Sequence, residues 1–127
     1  MTASEHAKEL LQLAAVAADS KAGEDLVALD VSEPLPFADI FLLVSGNSER
    51  NVVAIAGEVE DRLTEAGAKA LRREGREQGR WVLLDFGDLV VHVFHQEDRQ
   101  YYSLERLWRD CPVVPFQLPQ PASAEHA

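Results

Sequence analysis

The chain has 127 residues, 46% of them hydrophobic, with 12 basic against 22 acidic side chains and a net charge of −10. That length fits one domain able to bury roughly 65–70% of its unfolded surface, and the acidic balance repels phosphate, which disfavours a general nucleic-acid binder. No apolar run nears the ~20 residues that cross a bilayer, no basic region leads into an apolar leader, and Cys111 has no partner for a disulfide or CxxC site, so cytoplasm is the expected address.

Thr2-Ala3-Ser4-Glu5 fits a capping box. Ala7, Leu10, Leu11, Ala14, Ala17 and Ala18 then recur at helical spacing, predicting a helix over 2–18 with Gly23 at its C′ position. Leu26–Val31 reads as a buried strand, and Pro34 and Pro36 break the chain before a second, almost continuous apolar strand, Asp39–Val44. Such runs suit the centre of a sheet covered on both faces. Ser45-Gly46-Asn47-Ser48 turns strand into helix, with Asn47 or Ser48 as the cap. Val52, Ile55, Val59 and Leu63 form the apolar stripe of that helix, and Gly67 closes it. Leu71 centres a short charged strand expected near a sheet edge. Trp81–Asp85 and Leu89–Phe94 read as a hairpin, whose turn Asp85-Phe86-Gly87-Asp88 uses Gly87 for positive φ. A short aromatic helix pattern, Leu104–Trp108, completes a domain over 1–110. Residues 111–127, with Pro112, Pro115, Pro119 and Pro121, read as a Pro-rich flexible tail. The order predicts a single-domain α/β fold, a mixed sheet flanked by helices.

Charge is unevenly placed. Lys69, Arg72, Arg73, Arg76 and Arg80 against Glu74 and Glu77 make a local +3, which leaves −13 on the rest. An acidic chain suits a basic protein partner better than an RNA groove, and the basic stretch reads first as a solvated strand and loop. Asp85-Phe86-Gly87 resembles the kinase magnesium motif, but the phosphate and catalytic loops of kinases are missing. His92 and His95 are three apart on a strand and so face opposite sides, which prevents a shared metal. His92 is expected to be structural or at an interface, and His95 to face solvent. Phe86 and Phe94 are expected in the core. Trp81 and Trp108 lie at element ends, where each is as readily an interface anchor as a core residue.

Four segments in order and spacing resemble the ribosomal silencing factor (Iojap-related) family. They are Ala38-Asp39 with its strand, Ser45-Gly46-Asn47-Ser48, the Gly79–Phe94 hairpin, and Arg99…Tyr102-x-Leu104-Glu105-x-Leu107-Trp108. The resemblance spans about Leu26 to Trp108, leaves the tail from Cys111 outside, and departs at Gln96-Glu97-Asp98, where relatives often carry a proline-containing acidic turn. It implies a nucleotidyltransferase-like fold and a factor that binds the large ribosomal subunit through ribosomal protein fourteen. There it would block joining of the small subunit and lower translation when nutrients are scarce. By the same resemblance Trp81, Val82, His92, Leu104, Leu107 and Trp108 form the contact, with Arg76 and Arg80 at its rim. Any contact with rRNA would be peripheral. A homodimer, through the first helix or the aromatic surface, also fits.

The fold name raises the question of an enzyme. Ser45-Gly46-Asn47-Ser48 would receive a triphosphate and Asp85 and Asp88 would hold metal, yet the two carboxylates are three apart across a Gly turn. No Asp-x-Asp pair lies in an apolar strand. The expectation is a protein without catalysis or cofactor; the alternatives are an adaptor for another basic protein and, behind it, a nucleotide enzyme.

Overall fold

Ser4, not Thr2, caps the first helix: its Oγ accepts from Ala7 N at 3.1 Å, and α1 runs Glu5–Ser20. The computed structural model describes residues 3–102, 106 and 109–119. After α1 come β1 (Glu24–Asp30), β2 (Ile40–Gly46), α2 (Glu49–Glu65), β3 (Arg72–Glu74), β4 (Trp81–Asp85), β5 (Leu89–His95) and α3 (Gln96–Tyr102). The strands form one sheet in the order β1-β2-β5-β4-β3. The β2–β5 pair is parallel and the others are antiparallel. The architecture is a single-domain mixed α/β fold.

Side-chain alternation divides the sheet into two apolar layers. On one face Ile40, Leu42, Val44, Val82, Leu84, Leu89, Val91 and Val93 meet the stripes of α1 and α2. Ala7, Ala14, Ala17 and Ala18 are fully buried, and their small side chains let α1 lie close to the sheet and to α2. On the other face Phe41, Leu43, Val90 and Phe94 pack with Val31, Leu35 and Ala38 from the connection after β1. Both central strands, β2 and β5, are buried along their whole length, as continuous apolar runs require.

Four expectations are corrected. First, α1 does not end on Gly23. Ala22 takes the left-handed C′ position at φ 62, with Ala22 N donating to Asp19 O at 3.0 Å and Gly23 N to Ala18 O at 2.9 Å. Gly23 is needed for space: a Cβ there would lie 2.8 Å from both Ala18 O and Val44 Cγ1. Because alanine is strained at that φ, Ala22→Gly is expected to stabilise the fold by about 0.5–1 kcal/mol, read as a raised urea midpoint. A lowered midpoint would show that the entropy of the unfolded glycine chain outweighs the strain.

Second, Leu71 lies just before β3 rather than at its centre and is 74% exposed. The strand itself, Arg72–Glu74, is the charged edge expected of an unpaired border. Third, His95 is buried, at 8% exposure: as the last residue of β5 it follows Val91 and Val93 on the face that α1 and α2 cover, and its Nδ1 accepts from Glu97 N at 3.2 Å. The acidic residues Glu97 and Asp98 open that helix, where its N-terminal dipole favours them.

Fourth, the beginning of the tail is not loose. Asp30 N donates to Pro112 O at 2.8 Å, Val114 N donates to Ala28 O at 2.9 Å, and Val113 bridges Leu29 in antiparallel sense. Val114 is buried, Phe116 packs on the helical core, and Gln12 and Gln117 exchange two hydrogen bonds. Residues 112–117 therefore strap the outer edge of β1 and close a border that would otherwise invite pairing. Proline serves here because an edge strand presents some positions whose N–H has no ladder partner. Cys111 packs against the second layer, and burial, with the carboxylates of Asp30, Asp110 and Glu33, pushes its thiol above the usual value. That makes it a poor nucleophile.

Candidate protein-docking face

The second sheet face carries the aromatic residues of β2, β4 and β5. Trp81 opens β4 opposite Phe94, and Leu83 lies opposite His92. The Trp81 and Phe94 ring centroids are 5.0 Å apart, and Phe41 meets His92 edge-on at 4.8 Å. Trp81 Nε1 donates to His92 Nδ1 at 3.2 Å, diagonally across the ladder. An indole nitrogen only donates, so Nδ1 is unprotonated and the neutral ring carries its proton on Nε2. Burial pushes the imidazole pKa down to about 4, which keeps the ring neutral at pH 7. Nε2 is enclosed and has no hydrogen-bond partner among the described residues, a condition that costs about 1–3 kcal/mol.

These placements sort the expected contact residues. Trp81 is half-buried and combines a fixed ring with exposed surface, while His92 lies beneath it at 5% exposure. Val82 is fully buried and points to the helical layer, so its side chain has no surface to offer there. Leu104, Leu107 and Trp108 lie outside the described residues. Sequence reasoning omits Phe41, although the alternation Phe41-x-Leu43 in β2 places it on the same face as His92 and Phe94.

Three arginines of the basic stretch pair with carboxylates elsewhere in the chain. Arg73 and Arg76 both pair with Glu60 on α2, the second at 3.7 Å. Arg80 binds Asp98 of α3, with Glu97 at 3.5 Å and Glu49 at 3.8 Å. The hydrogen bond from Arg80 to Asp98 raises its guanidinium above the usual value, so the charge is permanent. Arg80 thus joins the start of β4, beside Trp81, to the first turns of α2 and α3.

In the nucleotide reading's two segments, Ser45, Asn47, Ser48 and Asp85 serve structural hydrogen bonds. Ser48 Oγ caps α2 by accepting from Asn51 N at 3.0 Å, and Asn51 Oδ1 accepts from Asn47 N at 2.9 Å. Ser45 and Gly46 belong to β2. Ser45 Oγ accepts from Arg99 Nη1 at 3.0 Å, and a Cβ on Gly46 would meet Val52 Cγ2 at 2.7 Å. In the hairpin turn Gly87 takes φ 89, and Asp85 Oδ1 accepts from Gly87 N at 2.8 Å. The Asp88 carbonyl receives Asp39 N and Ile40 N. Asp85 is committed to turn geometry, and no cluster of three or more His, Cys, Asp or Glu suited to a metal occurs among the described residues.

Comparison with known proteins shows the family. The profile of the family described as "Ribosomal silencing factor during starvation" matches residues 4–127, a span that includes the strap. The ribosomal silencing factor of Bacillus subtilis is 48% identical over 107 residues, covering 84% of this chain and 91% of that protein. A crystal structure from Bacillus halodurans superposes with a TM-score of 0.76 at 50% identity, covering 85% of this chain and 98% of the other. One from Chromobacterium violaceum gives 0.79 at 37% identity, covering 91% of each. Sequence profile, curated relatives and solved structures agree: the chain belongs to the ribosomal silencing factor family, the Iojap-related proteins.

Proposed function

We propose that this protein represses translation by docking on the large ribosomal subunit, through ribosomal protein fourteen, and excluding the small subunit. The observation that carries the reading is Trp81: a half-buried indole, braced by Phe94 and hydrogen-bonded to His92, on the sheet face opposite α1 and α2. Rigid aromatic side chains are favoured interface anchors because little freedom is lost when they dock. The net charge of −10 complements a basic partner and speeds encounter, while it keeps any rRNA contact to the periphery. Occupancy alone blocks subunit joining, so the mechanism needs no catalytic group and no cofactor. In this reading the sheet retains a nucleotidyltransferase-like layout without the catalytic carboxylates. The protein acts in the cytoplasm under nutrient limitation, and a homodimer would compete for the same face.

Sedimentation with separated ribosomal subunits tests this. The wild type is expected to travel with the large subunit only and to prevent its joining with the small one. Trp81→Ala is expected to lose at least ~2 kcal/mol of that binding, about thirtyfold, with its circular dichroism unchanged. A wild type that stays at the top of the gradient with both subunits would transfer the face to another basic protein, the adaptor reading.

A further inference from the structure

We propose that His92 is a positioning residue for the anchor Trp81, holding the indole in its docking orientation before the partner arrives. The inference rests on the docking reading and adds the device that prepares the anchor. Trp81 is the first residue of β4, and its indole is half-buried on the second sheet face. Its Nε1–H is received by His92 Nδ1 at 3.2 Å, while Phe94 lies 5.0 Å from its ring. The receiving ring is itself held between Phe41, edge-on at 4.8 Å, and Phe94, nearly parallel at 6.1 Å. A neutral imidazole can accept at Nδ1 only by carrying its proton on Nε2. That proton is the one left buried with no acceptor among the described residues. Packing alone would be served better by a phenylalanine, which fills the same space and strands no polar atom. The orphaned N–H is the direct consequence of using an imidazole as the acceptor, and the use of that acceptor is to order Trp81. Ordering the anchor in the free protein removes part of the entropy lost on docking.

His92→Phe separates positioning from packing, because the two predict opposite signs. At pH 7 the variant is expected to keep a urea midpoint equal to or above the wild type, yet to bind the large subunit about tenfold more weakly. The Trp81 indole N–H resonance, identified by its loss in Trp81→Phe, is expected to be protected from solvent exchange in the wild type and unprotected in His92→Phe. His92→Gln, whose amide oxygen accepts a hydrogen bond, is expected to recover part of both protection and binding. Wild-type affinity in His92→Phe would overturn the proposal, as would rapid exchange of the Trp81 N–H in the wild type. A midpoint and an affinity that fall together would show a packing role instead. If the wild type itself ignores the large subunit, the docking reading fails, while the exchange measurement still shows whether His92 holds Trp81.

Discussion

Gly75→Ala is expected to destabilise the protein by about 3 kcal/mol or more, lowering the melting temperature by on the order of 10 °C. Gly75 turns the chain between β3 and β4 at φ +89, and a Cβ there would lie 1.9 Å from Trp81 O and 3.0 Å from Trp81 C. Both atoms are main chain, so no side-chain rotation relieves the overlap; the start of β4 must move. Gly79 N also donates to Gly75 O at 3.1 Å, so displacement would loosen the whole 75–79 turn. Gly67 is the internal control. It has nearly the same φ, +93, with nothing within 4 Å of the added carbon. Gly67→Ala should therefore carry only the left-handed strain, about 1 kcal/mol. The difference between the two urea midpoints isolates the collision with Trp81, and equal midpoints would show that the turn yields freely. Because the atom struck belongs to Trp81, the Gly75 variant should also weaken docking by shifting the anchor's backbone.

Stability should fall as the solution is acidified from about pH 6.5 to about pH 4, and His92 should account for about 3 kcal/mol of the fall. Burial alone holds its pKa at about 4, against 6.5 for a free imidazole. Its described neighbours Phe41, Leu43, Trp81, Leu83 and Phe94 carry no charge that would favour the protonated ring. Above pH 6.5 the ring is neutral folded or unfolded, so it adds no slope. Between the two values the unfolded chain takes a proton that the folded chain refuses, and mass action draws the equilibrium toward unfolding. Below pH 4 both states are protonated and the slope from this group ends. Asp30 acts in the same direction at lower pH. Burial pushes its carboxyl up, but donors from Ser32 Oγ, Ser32 N and Ala3 N together outweigh this and hold it below the usual range. Urea midpoints at pH 7, 5.5 and 4.5 measure the effect. His92→Phe should flatten the fall, and an identical slope in the variant would assign the proton uptake to another group.

Much of the fold is legible along the chain because the signals are local. The stripes of α1 and α2, the unbroken apolar runs of β2 and β5, and the Gly87 turn each lie within a short window, and a window suffices to show period and breakers. The family is equally legible, since its motifs are short and ordered. Three features are decided by tertiary structure. The tail from Pro112 has the composition of a loose segment, yet a strand edge more than eighty residues upstream in sequence supplies the partners that hold it. His95 has the pattern of a solvent-facing strand end, and it is buried because it follows Val91 and Val93 on the sheet face that the helices close over. Trp81 and His92 are eleven residues apart, and their hydrogen bond depends on the register of the hairpin and on the ring packing that excludes water from Nε2. Composition and period record how each residue relates to its sequence neighbours. Whether a polar atom finds a partner depends on which layers close over it, and that is set by contacts between segments the chain brings together only on folding.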